Sequence, residues 1–180
     1  KLQRRNDDAL LATVVAHVEG MGMPVGSQAE LLEHVLMQAG NLTSHRPRQP
    51  ADIQLGFQVA KALAGPDVGQ TVVVKDGAVV AVEAIEGTGA TIRRAAELVG
   101  PGTTVVKVSK PQQDPRFDVP TVGLGTIEDM IAAGAQTLVV EPGKAFFLQR
   151  EAALARAEEA GIAIVGMSPE EAGRGDPRCR

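Results

Sequence analysis

Apolar residues recur along this chain in two rhythms, and each change of rhythm marks a new element. Residues 7–19 set Leu10, Val14, Ala16 and Val18 in an uneven helical stripe that Gly20 stops. After Val25-Gly26-Ser27, residues 29–37 repeat that spacing with Leu31, Leu32, Val35 and Leu36. Residues 41–50 hold Thr43, Ser44, Arg46, Pro47, Arg48 and Pro50, which predicts a linker and the best domain boundary in the chain. Beyond it, Ile53, Phe57, Ala60, Leu63 and Ala64 share one face of a helix over 52–64, closed by Gly65-Pro66. Strands follow over 71–75 and 78–85, joined by Asp76-Gly77, a strong hairpin signal. Ile92, Ala95, Ala96 and Val99 return to helical spacing until Gly100-Pro101.

A strand over 103–108 then leads into a charged loop. Thr126-Ile127-Glu128-Asp129 resembles a capping box with Asp in the place of Glu or Gln, opening a short helix to Gly134. A strand over 137–141, a helix over 150–160 and a strand over 162–165 complete the pattern. Residues 167–180 are polar and predict a disordered tail. No internal repeat is visible. Strands alternating with helices, with one hairpin inserted, predict an α/β fold with a mixed β-sheet flanked by helices.

Composition narrows the function. The 180 residues include four Phe and no Tyr or Trp, so the core must be built of Val, Ile, Leu and Ala, as suits buried strands. A net charge of -4 and the scarcity of aromatics argue against a nucleic-acid surface. The single cysteine, Cys179, leaves no disulfide framework, which fits a reducing cytoplasm. No apolar run reaches the roughly 18–20 residues of a membrane span, and no signal peptide is visible. The chain opens Lys1-Leu2-Gln3 without an initiator Met, and residues upstream are expected.

The chemistry concentrates in loop 107–121, where Lys107, Lys110, Gln113, Asp114, Arg116, Asp118 and Thr121 crowd a segment stiffened by Pro111, Pro115 and Pro120. It leaves the carboxyl end of a strand, where open α/β sheets bind ligands. Asp114 and Asp118 could hold Mg²⁺, which favours one or two carboxylates beside phosphate oxygens and water. Lys107, Lys110 and Arg116 could neutralise phosphate charge. The plainer alternative is a surface loop with a solvated Arg–Asp pair. A second cluster, Glu83-Ala84-Ile85-Glu86-Gly87-Thr88-Gly89, joins a strand to a helix. Its glycines and the helix amino terminus suit an anion, or else Thr88 simply caps the helix.

Other candidates are weaker. His17, His34 and His45 are scattered without metal-ligand spacing. Lys144, after Glu141-Pro142-Gly143, could reach the same rim, and Phe146-Phe147-Leu148 reads as core. Glu151, Arg156, Glu158 and Glu159 read as a solvated helix face.

Three ordered motifs resemble a known family. They are Asp67-Val68-Gly69-Gln70 running to Asp76-Gly77, Val82-Glu83-Ala84-Ile85-Glu86-Gly87-Thr88, and Lys110-Pro111 followed by Gln113, Asp114, Arg116, Asp118, Pro120, Thr121 and Gly123. Together, from about residue 7 to 166, they resemble the LpxI-type UDP-2,3-diacylglucosamine pyrophosphatases. The resemblance implies Mg²⁺-dependent hydrolysis of UDP-2,3-diacylglucosamine to UMP and 2,3-diacylglucosamine 1-phosphate (lipid X) in the lipid A biosynthesis of Gram-negative bacteria. It implies attack by water at the sugar-side phosphorus, although these residues do not themselves select one. It also implies cytoplasmic work at the inner membrane face, and a homodimer is left open.

By the same resemblance, Asp118, Asp114 and Glu86 are catalytic candidates, with Asp118 or Glu86 orienting water. Asp118, Asp114 and Glu83 are the metal candidates. Lys107, Lys110, Gln113, Arg116, Gly87, Thr88 and Thr121 would hold substrate. Residues 1–46 would be the helical end of an amino-terminal domain with its linker, 47–166 the catalytic carboxyl-terminal domain, and 167–180 the tail. Two departures stand out: Gly89 occupies a position where the family usually has Asp, and most of the amino-terminal domain is absent. A non-catalytic nucleotide-sugar or lipid-binding module of the same fold is the alternative. A purely structural domain pairing through a sheet edge would leave the charged loop unexplained.

Overall fold

The computed structural model describes residues 7–174. Helices α1 (Asp7–Gly20) and α2 (Gln28–Leu31) lead to a short edge strand β1 (Gly40–Asn41). Helix α3 (Pro50–Ala64) precedes the hairpin β2 (Thr71–Lys75) and β3 (Ala78–Val82). Then come α4 (Thr88–Val99), β4 (Thr104–Lys107), β5 (Thr121–Gly123), α5 (Leu124–Ala133), β6 (Thr137–Val140) and β7 (Phe146–Leu148). Helix α6 (Arg150–Ala160), β8 (Ala163–Gly166) and α7 (Pro169–Gly173) end the described chain.

Six strands form one sheet in the order β1-β8-β6-β4-β2-β3. β4, β6 and β8 run parallel, whereas β2 is antiparallel to both β3 and β4, and β1 is antiparallel to β8. The sheet is therefore mixed, as the alternating pattern predicts. Successive strand side chains point to opposite faces, and the core divides accordingly. Val73, Val105, Leu138 and Ile164 pack with Ile92, Ile127, Met130 and Ala153 on the face covered by α4, α5 and α6. Val72, Val74, Val106, Val139 and Val165 pack with Ile53, Phe57 and Ala60 of α3 on the other. The two helix layers bury the strands on both faces, which explains why the strands read as near-continuous Val/Ile/Leu runs.

Helix α3 lies so close to the sheet that a Cβ on Gly56 would run into the Val106 side chain. Its buried Asp52 accepts hydrogen bonds from the N–H groups of Asp76 (3.0 Å) and Gly77 (2.7 Å), fixing the hairpin turn. Asp76 takes a left-handed backbone (φ 51°) beside Gly77 (φ 78°), as a tight two-residue turn requires.

Several elements differ from the sequence expectation. The helix expected over 29–37 is one turn of α2 and a 3-10 turn, Glu33–Val35. Met37 instead exchanges hydrogen bonds with loop 143–145, donating to the Ala145 carbonyl at 2.8 Å and accepting from Gly143 at 2.8 Å. Tertiary pairing overrides helical spacing there. The segment expected to be a linker is tied along the sheet edge: Leu42 donates to the Ile164 carbonyl, Thr43 accepts from Ile164 N–H, and Ser44 and His45 both contact Glu158.

Thr126 is not an N-cap. It lies inside α5, and its hydroxyl accepts the N–H of Gly123 at 3.3 Å, while Asp129 pairs with Arg93 of α4. β3 stops at Val82, short of residue 85. A small parallel pair, β5 with β7, escapes prediction because three-residue strands show no usable alternation. Residues 167–174, expected to be disordered, instead form α7 behind a Ser168–Glu171 capping box, with Met167 and Ala172 in the α3-side core. The short hydrophobic contact and the cap suffice to hold that turn. Residues 175–180, including Cys179, lie outside the described residues. Among the described residues no helix is long and apolar enough to cross a membrane.

Candidate active site

Strand polarity assembles the site. The carboxyl end of β4 delivers Lys107 directly opposite Thr71 at the amino end of antiparallel β2. β3 returns beside β2, so its carboxyl end brings Glu83 to the same sheet edge, where Glu83 N–H donates to the Thr71 carbonyl at 2.8 Å. Gly69 lets the chain enter β2 there, since a Cβ on it would collide with the Glu83 carbonyl. Turn residue Asp67 and loop residues Lys110 and Asp118 close the other side. The resulting cleft, of about 590 Å³, is lined by Asp67, Gln70, Glu83, Lys107, Lys110 and Asp118 among others.

Two lysines organise its charge. Lys107 is buried, and its Nζ donates to Thr88 Oγ1 at 2.8 Å and Thr71 Oγ1 at 3.3 Å, with Glu83 Oε2 at 3.7 Å. The Thr88 hydroxyl in turn donates a hydrogen bond to Glu83 Oε1 at 2.8 Å. Burial pushes the Lys107 ammonium below the usual lysine range, against the opposing pull of Glu83 and the weaker one of Asp118. Lys110 Nζ lies between two carboxylates, 2.6 Å from Asp67 Oδ1 and 2.7 Å from Asp118 Oδ2. Both of those aspartates have left-handed backbones, Asp67 at φ 62° and Asp118 at φ 55°. Such conformations cost free energy in non-glycine residues and cluster at functional sites. Gln113 braces the second of them: its amide donates to the Asp118 carbonyl at 2.6 Å and its own carbonyl accepts from Lys110 N–H at 3.3 Å.

The sequence-predicted residues thus separate into groups. Glu83, Gly87, Lys107, Lys110, Asp118 and Thr121 line the one cleft, and Thr88 joins it through Lys107. Asp114 and Arg116 do not join them. Pro115 and the turn at Asp118 send the two aspartates to different cavities, and Asp114 faces one lined by Val25, Ser27 and Glu30. Arg116 grips it through Nε at 3.0 Å and Nη2 at 2.8 Å, and reaches Glu19 of α1 with Nη1 at 2.8 Å. The Arg116 hydrogen bond holds the Asp114 carboxyl below the usual range. This pair ties the loop to α1 through Glu19.

Glu86 is likewise turned away. It accepts from Ala84 N–H at 3.1 Å and pairs with Arg94 at 2.6 Å, and its own backbone N–H and then Arg94 hold its carboxyl low. Thr88 is the first residue of α4 behind Gly87 (φ 81°), not its cap, because the left-handed position demands glycine. A Cβ on Gly89 would meet the Asp129 carboxylate and Arg93, so their ion pair fills the space a side chain would need. Among the described residues no group of three or more His, Cys, Asp or Glu side chains could hold a metal by itself.

Sequence reasoning missed Asp67, whose place depends on a turn of the backbone and not on spacing. It also gave no role to Gln70, whose backbone N–H donates to Glu83 Oε2 at 3.3 Å and whose carbonyl accepts from Val108 N–H at 2.9 Å.

Residues 38–165 match the LpxI C-terminal domain. The chain is 35% identical, over 181 aligned residues, to the UDP-2,3-diacylglucosamine pyrophosphatase LpxI of Caulobacter vibrioides; the alignment covers 93% of this chain and 64% of that protein. The chain therefore spans less than two thirds of that relative's length. Among solved structures, Acinetobacter baumannii RibD (form 2) resembles it with a TM-score of 0.36 and 16% identity, covering 71% of this chain and 37% of that one, a likeness too slight to bear on the fold. The domain match, spanning most of the chain and both motif-bearing sides of the cleft, shows that this chain belongs to the LpxI family.

Proposed function

We propose that the cleft binds the diphosphate of UDP-2,3-diacylglucosamine and hydrolyses it to UMP and 2,3-diacylglucosamine 1-phosphate, as the name of the Caulobacter relative suggests. The observation that carries this reading is the pairing of two lysines with three carboxylates from separate elements at one sheet edge. Lys107 and Lys110 would neutralise phosphate oxygens, and the amino end of α4 adds a partial positive charge beside Thr88. Asp118, 36% exposed, would take a proton from the attacking water. The water oxygen bonds to one phosphorus, the bridging P–O bond breaks, and its electron pair leaves on the other phosphate.

Mg²⁺ fits this donor set. The Asp67 and Asp118 carboxylates already converge on a single positive charge, and Mg²⁺ needs only one or two carboxylates beside phosphate and water. Asp67 and Asp118 would hold it, and when bound it would draw charge from the diphosphate oxygens. Val68 and the fully exposed Ile85 line the same cleft, giving apolar surface for the acyl chains of an amphiphilic substrate presented at a membrane face.

The test is UMP release from UDP-2,3-diacylglucosamine with Mg²⁺ and with EDTA, for the protein and its Asp118→Ala variant. Metal-dependent release that the variant loses by about a hundredfold or more supports the reading. Release that survives both EDTA and the substitution refutes it, and binding of UMP without any turnover would favour a non-catalytic module.

A further inference from the structure

Just behind the cleft lies an ion pair that the proposed chemistry does not use. Glu141 follows β6, and its side chain is 2% exposed. Its Oε2 accepts from Lys61 Nζ of α3 at 2.6 Å, from Ser109 N–H at 2.7 Å and from Ser109 Oγ at 3.0 Å. Lys61 Nζ also donates to the Ser109 carbonyl at 2.9 Å. Oε1 lies 3.4 Å from Lys144 Nζ. Burial alone would push the Glu141 carboxyl up, but the Lys61 and Ser109 hydrogen bonds outweigh it and hold the group below the usual range, so it stays ionised at neutral pH.

The contacts converge on a single residue. Ser109 has its N–H, its hydroxyl and its carbonyl all engaged by this one ion pair. The next residue is Lys110, whose ammonium bridges Asp67 and Asp118. Beyond it, Pro111 limits how the chain can leave. With Ser109 fixed on one side and Pro111 on the other, the backbone of Lys110 has little freedom.

A buried ion pair is a poor stability device, because desolvation offsets most of its attraction and apolar replacements often do as well. Its value is in fixing geometry. We infer that Glu141, through Lys61 and Ser109, is a positioning residue that aims Lys110 into the cleft.

This inference rests on the diphosphate reading of the cleft and goes beyond it: the proposed chemistry gives the Glu141 side chain no role, that side chain meets the loop at Ser109, and the backbone N–H of Glu141, which donates to the Lys107 carbonyl at 3.4 Å, is kept in Glu141→Gln. Its test is a double-mutant cycle with Glu141→Gln and Lys110→Met, read by kcat/KM for UMP release, by inorganic pyrophosphate affinity from calorimetric titration, and by Tm. If Glu141 acts through Lys110, Glu141→Gln lowers kcat/KM and pyrophosphate affinity by about tenfold in the natural background but by less than twofold once Lys110 is gone. Its effect on Tm should be the same in both backgrounds. An equal loss in both backgrounds, or no loss in either, overturns the inference and leaves Glu141 a packing residue.

If Glu141→Gln does not fold, Ser109→Ala removes only the hydroxyl contact and should show a smaller loss with the same dependence on Lys110. Absence of that dependence overturns the inference equally. A natural protein that neither binds pyrophosphate nor releases UMP refutes the diphosphate reading itself, and the positioning role with it. Pyrophosphate binding that is intact in Glu141→Gln refutes only the positioning role.

Discussion

Replacing Gln70 with methionine should leave the protein at least as stable as before while impairing its chemistry. The side-chain oxygen of Gln70 is buried with no hydrogen-bond partner among the described residues. An unsatisfied buried acceptor costs about 1–3 kcal/mol. Methionine has nearly the same length and no polar terminus, so it removes the unpaired oxygen without opening a hole. The main-chain contacts of residue 70, to Glu83 Oε2 and from Val108 N–H, do not depend on the side chain and should persist. Gln70 is only half-buried, so we expect recovery of the smaller end of the range, roughly 1 kcal/mol. For a domain of this size that is a rise in Tm of about 2–4 °C.

Urea unfolding and thermal scans read the stability. UMP release reads the function, where loss of a cleft-lining amide beside Glu83 should lower kcat/KM about tenfold. Stability and activity moving in opposite directions is the signature of a polar group kept for its ligand. A fall in Tm of more than about 2 °C would refute the reasoning, because it would mean the amide oxygen is paired in the folded protein.

Two further outcomes follow from packing and charge. Gly56→Ala should destabilise by about 1–2 kcal/mol in urea unfolding, because overpacking against Val106 outweighs the roughly 1 kcal/mol that alanine adds to a helix interior; a stabilised variant would show that α3 can move off the sheet. Glu141 has a folded-state pKa below its unfolded value, so its contribution is present above the ordinary carboxylate range and is lost as pH falls through the depressed value. The stability difference between the natural protein and Glu141→Gln should therefore shrink below about pH 4, and a difference that grew on acidification would contradict the assignment.

How much of this was legible in the sequence depended on whether the signal was local. The β2–β3 hairpin could be read because Asp76-Gly77 and the flanking Val runs carry their own instructions. The charged loop could be read because its residues adjoin one another. What could not be read was which of them face each other. Asp114 and Asp118 are equally spaced candidates on paper, yet a left-handed turn at Asp118 and the reach of Arg116 toward Glu19 part them. Asp67 enters the site from the end of α3, and Glu141 meets Lys61 and Ser109 from three separate elements, so no window of sequence contains either arrangement. The helix expected over 29–37 failed for the same reason, since its apolar spacing was real but Met37 had a better partner in Ala145.

The strand order explains why the site lies where it does. In a wholly parallel sheet, the carboxyl edge receives loops only from strands pointing that way. Here β2 enters antiparallel beside β4, so the amino end of one strand meets the carboxyl end of the other, and β3 turns back to add a third terminus. Gln70 and Thr71 precede or open β2, Glu83 follows β3, Lys107 ends β4, and Thr88 opens the helix that β3 feeds. Two strand ends, at Thr71 and Glu83, and a helix amino terminus, at Thr88, thereby converge on the one ammonium that ends β4, Lys107. These groups are mounted on or beside the strand ladder, or in the case of Thr88 on a helix end, rather than on a free loop, which limits their freedom to re-aim. Lys110 and Asp118, like the turn residue Asp67, are carried off the ladder, and the first two are braced from outside, by Ser109 through Glu141 and by Gln113 respectively. The bracing is therefore found where the sheet cannot supply rigidity, and that division of labour is what the Glu141 and Lys110 cycle measures.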